Sequence, residues 1–344
     1  MKVKNIIILF FVLNFIPINL KSAEWFILPG FYYLPDTGVT GFILSACEYK
    51  ISRFMLDLEY ADKNEQLYKF NYVLDAHKWK MESNIYWEKN FIDIFCFNNS
   101  VPHQSGSYIR KRSSFSTYIG KKLSKKIIGL YFVIENNKGN NADNIGKEEI
   151  NGHLLKSGSY FEINKVDNLY NTMEGIKIKV SAGVLKSENY HSFFPEAGID
   201  LRFYFPLIKN RLSNCFQIKS SFIIKSTLPL YSSYCIGGSK SLRGYSREVV
   251  CGTKMFLARE ETRIILFKNI PLPLFSNTLF DIQFVIFADT GTCWTEKSGP
   301  KNYLTSGGAG LHLVFPPDVV IRFDLASPFN YSSFNFYMDC EQSF

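Results

Sequence analysis

The feature that most restricts this chain is a two-residue alternation of apolar and polar side chains that returns along its length. In "LFDIQFVIFADTG", Phe280, Ile282, Phe284, Ile286 and Ala288 share one parity, while Asp281, Gln283 and Asp289 share the other. A strand turns successive side chains to opposite faces, so such a run has one oily face and one wet face. The same split separates Ile199, Leu201, Phe203 and Phe205 from Asp200, Arg202 and Tyr204, and Val319, Ile321, Phe323 and Leu325 from Arg322 and Asp324. Few stretches keep a helical period. Aromatic residues at 16% and charged residues at only 20% argue against a disordered or coiled-coil chain and suit strands.

Alternation by itself fits both a soluble sandwich and a membrane barrel. The N-terminus separates them. A basic head, MKVK, precedes the apolar NIIILFFVLNFIPINL and the small residues Ser22 and Ala23, which reads as a secretory signal peptide over residues 1–23. A membrane anchor helix is the alternative, but the uninterrupted apolar part is shorter than the roughly 20 residues a span needs, and Asn14 and Pro17 interrupt it.

Counting the alternating runs gives strands at 39–47, 51–61, 67–76, 82–89, 91–97, 107–120, 125–135, 157–166, 173–187, 195–206, 214–226, 250–266, 278–290, 303–315, 318–328 and 333–344. Sixteen is even, as a closed bacterial barrel requires. The expected fold class is therefore all-β, a 16-stranded antiparallel transmembrane β-barrel filling residues 24–344. With both termini on the periplasmic side, the two longest connections face outward. These are "ENNKGNNADNIGKEEINGHLLKS" after the seventh run and "STLPLYSSYCIGGSKSLRGYSREVV" after the eleventh.

Composition also narrows the function. Losing Lys2, Lys4 and Lys21 with the signal lowers the net charge from +8 to +5, and the remaining basic residues are interspersed with acidic ones, which argues against nucleic acid. Seven cysteines without a CxxC pair do not make a zinc site. They read as small apolar side chains, with a Cys235–Cys251 disulfide as an open alternative. The five histidines, His77, His103, His153, His191 and His312, form no cluster, and no G-x-S-x-G, H-E-x-x-H or P-loop is present. No metal, cofactor or enzymatic activity is expected; a hydrolase site assembled from distant rim loops is the alternative.

Between Gly237 and Phe344 a set of motifs occurs in order: "GGSKSLRGY", "ARE" with "ETRI", "FADTG", "SGGAGLHLVFP", "VIRFDLASP" and a terminal aromatic. This set resembles the barrel of the BamA-like surface-antigen family, which includes assembly factors and, more distantly, two-partner secretion transporters. The earlier "LPGFYYLPDTGVTGFIL" is similar to the segment that opens such barrels. The resemblance implies that the connection after strand eleven folds into the lumen. Its tip, Leu242, Arg243, Gly244 and Tyr245, then meets acidic residues on the wall, Asp289 and Glu261, with Gly237, Gly238 and Gly291 as motif glycines. Parity agrees for Asp289, which shares its face with Asp281 and Gln283. Glu260 falls on the apolar parity, so either a bulge shifts the register there or it lies beyond the apolar band. Phe344 resembles the C-terminal signal that outer-membrane assembly machinery reads by strand addition.

The resemblance implies a protein of the bacterial outer membrane, embedded in outer-membrane lipid, that assists insertion or translocation of polypeptides through a weak seam between strands one and sixteen, with "VTGFILSAC" as strand one. Client outer-membrane proteins are the implied partners. Members that insert or secrete proteins carry N-terminal POTRA domains, and this chain enters its barrel almost at once, so a separate periplasmic recruiter is a further candidate partner. The alternatives are a passive outer-membrane pore, surface antigen or docking scaffold, and then lipid or small-solute transport.

Overall fold

The computed structural model describes residues 11–12, 23–34, 38–61, 65–98, 101–140, 146–168, 171–226, 228–272, 275–315 and 319–339. Of the expected signal segment only Phe11, Val12 and Ala23 fall among these residues, and Phe344 lies outside them.

Among the described residues the wall comprises sixteen strands of five residues or more. They are β1 (Ala23–Leu34), β2 (Gly38–Tyr49), β3 (Ser52–Ala61), β4 (Gln66–Asp75), β5 (Trp79–Asn98), β6 (Val101–Leu123), β7 (Lys126–Asn140) and β8 (Gly152–Val166). They continue as β9 (Gly175–Ser187), β10 (Phe194–Ile208), β11 (Leu212–Ile223), β12 (Lys254–Leu272), β13 (Phe275–Trp294), β14 (Leu304–Phe315), β15 (Val319–Pro328) and β16 (Asn335–Asp339). Each pairs antiparallel with the next, from β1–β2 to β15–β16. Phe11–Val12 pairs with Gly30 and Phe31 of β1.

Two strand assignments differ from the sequence reading and offset each other. β1 precedes the run at 39–47, hidden there because Pro29 and Gly30 look like strand breakers; its backbone nonetheless pairs with β2 from Ala23↔Tyr49 to Leu34↔Gly38. The runs at 82–89 and 91–97 are one strand, β5, in register with β6 through Lys89↔Lys111 and Asn90↔Arg110. Asn90 resembles a turn residue, but its side chain is buried on the inner face. The count therefore stays at sixteen, and "VTGFILSAC" belongs to β2 instead of the first strand.

The wall separates its faces by parity. On β7, Ile128, Leu130 and Ile134 are exposed outward, while Ile127, Tyr131, Glu135 and Asn137 are buried inward. An outward apolar band over a polar interior is what lipid outside and water or protein inside require. Between the two ends of the sheet, Asp339 of β16 interacts electrostatically with Glu59 of β3 and Lys69 of β4. One rim carries tight turns such as 50–51, 124–125 and 209–211, plus the longer 167–174; the other carries the longer connections, above all 224–253.

That connection folds inward. It contains a 3-10 turn, Leu230–Ser232, and a short ladder pairing Tyr234–Ile236 with Val250–Gly252, closed by a Cys235–Cys251 disulfide. Ile236, Leu242, Tyr245 and Val249 pack against Leu257, Cys293 and Leu304 of the wall, with Phe95 and Phe97 of β5 on the opposite side. An apolar core of nine buried residues is thus built around the inserted loop. Cys96, Cys215 and Cys293 are free thiols.

The face assignment makes a quantitative expectation. Leu130→Arg places a charge on the outer band and should destabilise the barrel by about 2–4 kcal/mol in lipid vesicles, read by urea unfolding. A loss below about 0.5 kcal/mol would mean that Leu130 does not face lipid.

Candidate functional site: a charged clasp in the lumen

The turn that delivers Arg243 depends on two glycines. Gly237 has φ +128°, and a Cβ there would lie 2.1 Å from the Ser246 carbonyl oxygen. Gly244 has φ +89°, and its Cβ would lie 3.0 Å from Ser306 Cβ and 3.1 Å from the Ser327 carbonyl carbon. Both positions combine a backbone that disfavours side chains with a wall too close to admit one. Gly238 donates its N–H to the Tyr245 carbonyl at 3.1 Å, and Gly291 on β13 faces Ile236 of the loop.

Arg243 is fully buried. Its Nε donates to Asp289 Oδ2 at 2.7 Å and its Nη2 to Asp289 Oδ1 at 2.8 Å, a bidentate fork, while its backbone N–H reaches the same carboxylate at 3.1 Å. Nη1 donates to Glu261 Oε1 at 2.7 Å and to Asp324 Oδ2 at 3.4 Å. The guanidinium also lies 3.5 Å from the ring centroid of Phe287, a cation–π contact. Burial alone would weaken protonation of Arg243, but Asp289 and Glu261 outweigh it and raise the guanidinium pKa above its ordinary range. Planarity matters here, because one flat fork satisfies carboxylates from β12, β13 and β15 together.

The acids have further partners. Arg263 donates through Nε and Nη2 to Glu261 Oε2, at 2.9 and 2.8 Å, and through Nη1 to the Thr172 carbonyl at 3.0 Å. That carbonyl belongs to the 167–174 turn at the opposite rim. Asp324 accepts from Arg322 Nη1 at 2.7 Å and lies 3.0 Å from His312 Nε2. Every side chain of this cluster is at most 2% exposed.

The rest of the tip is bound along its length. Leu242 is buried in the loop core, and Tyr245 donates its hydroxyl to the Thr305 carbonyl at 3.0 Å, with burial lifting its pKa to about 12. Three inward side chains of β16 hold the loop as well. Asn335 Nδ2 donates to the Gly244 carbonyl at 2.5 Å, Tyr337 donates to the Tyr245 carbonyl at 2.8 Å and accepts from the Gly244 N–H at 3.0 Å, and Ser239 donates to Asp339 at 2.9 Å. Across the lumen, Arg110 of β6 donates to Glu248 on the returning leg at 2.7 Å.

Sequence reasoning named Arg243, Asp289 and Glu261 but gave no role to Asp324, Arg322, His312 or the β16 contacts. Arg322 and Asp324 were already on the wet parity of their strand, which is the signal that would have found them. Nothing in the sequence joins Arg110 to Glu248, 138 positions apart. At Glu260 the register is unbroken from Lys254↔Trp294 to Ile265↔Gln283, so no bulge is present; Glu260 faces outward and accepts from Asn214 Nδ2 at 3.2 Å.

No curated protein matches the chain. Among solved structures it is similar to BamA from Haemophilus ducreyi lacking POTRA domains 1–3, with TM-score 0.57 and 15% identity over 93% of this chain and 68% of that one. It is also similar to CdiB from Acinetobacter baumannii, with TM-score 0.57 and 13% identity over 94% of this chain and 60% of that one. These likenesses establish the barrel fold. The family model described as the Omp85 superfamily domain matches residues 52–337, so the chain belongs to the Omp85 superfamily of bacterial outer-membrane barrels.

Proposed function

We propose that this barrel assists insertion or translocation of polypeptides at the outer membrane, and that the lumenal loop acts as a latch on its last strand. One observation carries the reading. Along the described part of β16, the inward Asn335, Tyr337 and Asp339 all bond to the loop. A last strand held from the inside by a loop is one whose edge can be freed when the loop moves. A freed edge offers backbone donors and acceptors that a client strand satisfies by pairing. The activities of BamA and CdiB belong to those proteins; client outer-membrane proteins and a separate periplasmic recruiter are the partners this reading proposes, because the loop holds the strand that a client would pair with.

A second reading, a passive pore or docking scaffold, is favoured by the completeness of the clasp, whose charges are buried and satisfied. Two experiments separate these readings. Arg243→Ala should leave a heat-modifiable barrel in the membrane and abolish insertion of a client barrel into reconstituted liposomes; equal insertion with and without the wild-type protein would exclude the insertase reading. In a Ser239→Cys/Asp339→Cys variant, oxidation should tie the loop to β16 and stop insertion, and reductant should restore it, with reductant-treated wild type as the control. Full insertion by the oxidised variant would exclude the latch.

A further inference from the structure

We infer that the half of the lumen not filled by the clasp is a binding chamber for a small, phosphate-bearing polyanion, an assignment that does not depend on insertase activity. A cavity of about 660 Å³ lies between the β5–β11 wall and the inserted loop. Small-molecule sites ordinarily span roughly 300–1,000 Å³. Its lining carries eight basic and six acidic side chains, and the pairing of those charges decides what the chamber attracts.

Four of the six carboxylates are committed to a close partner. Glu135 is held by Arg112 at 2.5 Å, Glu248 by Arg110 at 2.7 Å, Asp200 by Arg202 at 2.7 Å and Glu196 by Lys156 at 3.2 Å, whereas Glu162 comes no nearer than 4.0 Å to Lys80. What is left is Glu82 and Glu162 among Lys80, Lys177, Lys179 and Lys219, a surplus of two positive charges. Among the described residues, no carboxylate is in ion-pair contact with the ammonium groups of Lys177, Lys179 and Lys219.

Their placement concentrates the surplus. Lys177 and Lys179 project from the same face of β9, and Lys179 and Lys219 flank Asp200 in cross-strand register on either side of β10. The Asp200 carboxylate is turned to Arg202, which grips it through Nε and Nη2, and to Gln217. Lys179 is fixed against aromatic faces, 4.2 Å from the Tyr118 centroid and 5.1 Å from that of Tyr160. Lys219 is open to the chamber.

A surplus of like charge inside low-dielectric walls focuses a positive potential. Ammonium groups are strongly hydrated point charges that pair well with phosphate oxygens. Spacing across three strands favours a ligand with two or more anionic groups over a single carboxylate, and a chamber on the polar inner face is entered from an aqueous rim instead of from lipid.

The test is isothermal titration of the full-length protein in detergent with tripolyphosphate at constant ionic strength. Wild type should bind with one-to-one stoichiometry. Lys177→Gln/Lys179→Gln/Lys219→Gln should weaken binding by at least about tenfold, while the rim variant Lys125→Gln/Lys126→Gln/Lys209→Gln should bind as wild type does. Absence of saturable binding to wild type, or equal weakening in both triple variants, would overturn the assignment. Should the lumenal variant fail to fold, acetylation of wild type decides. Tripolyphosphate should slow modification of Lys177, Lys179 and Lys219 and leave the rim lysines unaffected; no selective slowing would overturn it.

Discussion

The arrangement depends on one guanidinium. Arg243 is the only charge at the loop tip, and it is fully buried against Asp289, Glu261 and Asp324 on three wall strands. Carboxylates gathered this closely would repel one another without it. Removing one member of a buried ionic group leaves the others uncompensated, at a cost of about 3–5 kcal/mol. Loop insertion and the acidic inner face of β12–β15 therefore stabilise each other, and neither is comfortable alone.

From that point order spreads in two directions. Toward the last strand, the backbone carbonyls beside Arg243 are held by Asn335 and Tyr337, so the loop and β16 share one hydrogen-bonded unit. Toward the other wall, Arg110 holds Glu248 and Tyr234 donates to Glu196 at 3.2 Å. The loop thus divides the lumen into a tightly clasped half against β12–β16 and an open, basic half against β5–β11. A barrel needing only to be closed would not require that asymmetry.

Much of this was legible because a strand's parity is a local property. Asp289 and Glu261 fall on the inner face by counting, and the ordered motifs from Gly237 onward fix which loop meets them. The first strand was missed because Pro29 and Gly30 are tolerated where pairing, not propensity, decides the backbone. β5 was split because Asn90 resembles a turn residue until the lumen gives it an interior. Contacts such as Arg110 with Glu248, or Ser239 with Asp339, join residues about 100 or more positions apart. No local pattern encodes them, since they arise only when the sheet rolls up around the loop.

The most direct measurement is a double-mutant cycle between loop and wall, Arg243→Met and Asp289→Asn, read as unfolding free energy in lipid vesicles. A clasp that holds the loop predicts a coupling of at least about 1.5 kcal/mol, in the upper range for residues of one buried network. Additive effects, within about 0.5 kcal/mol, would show that the two side chains do not act together and would contradict the account.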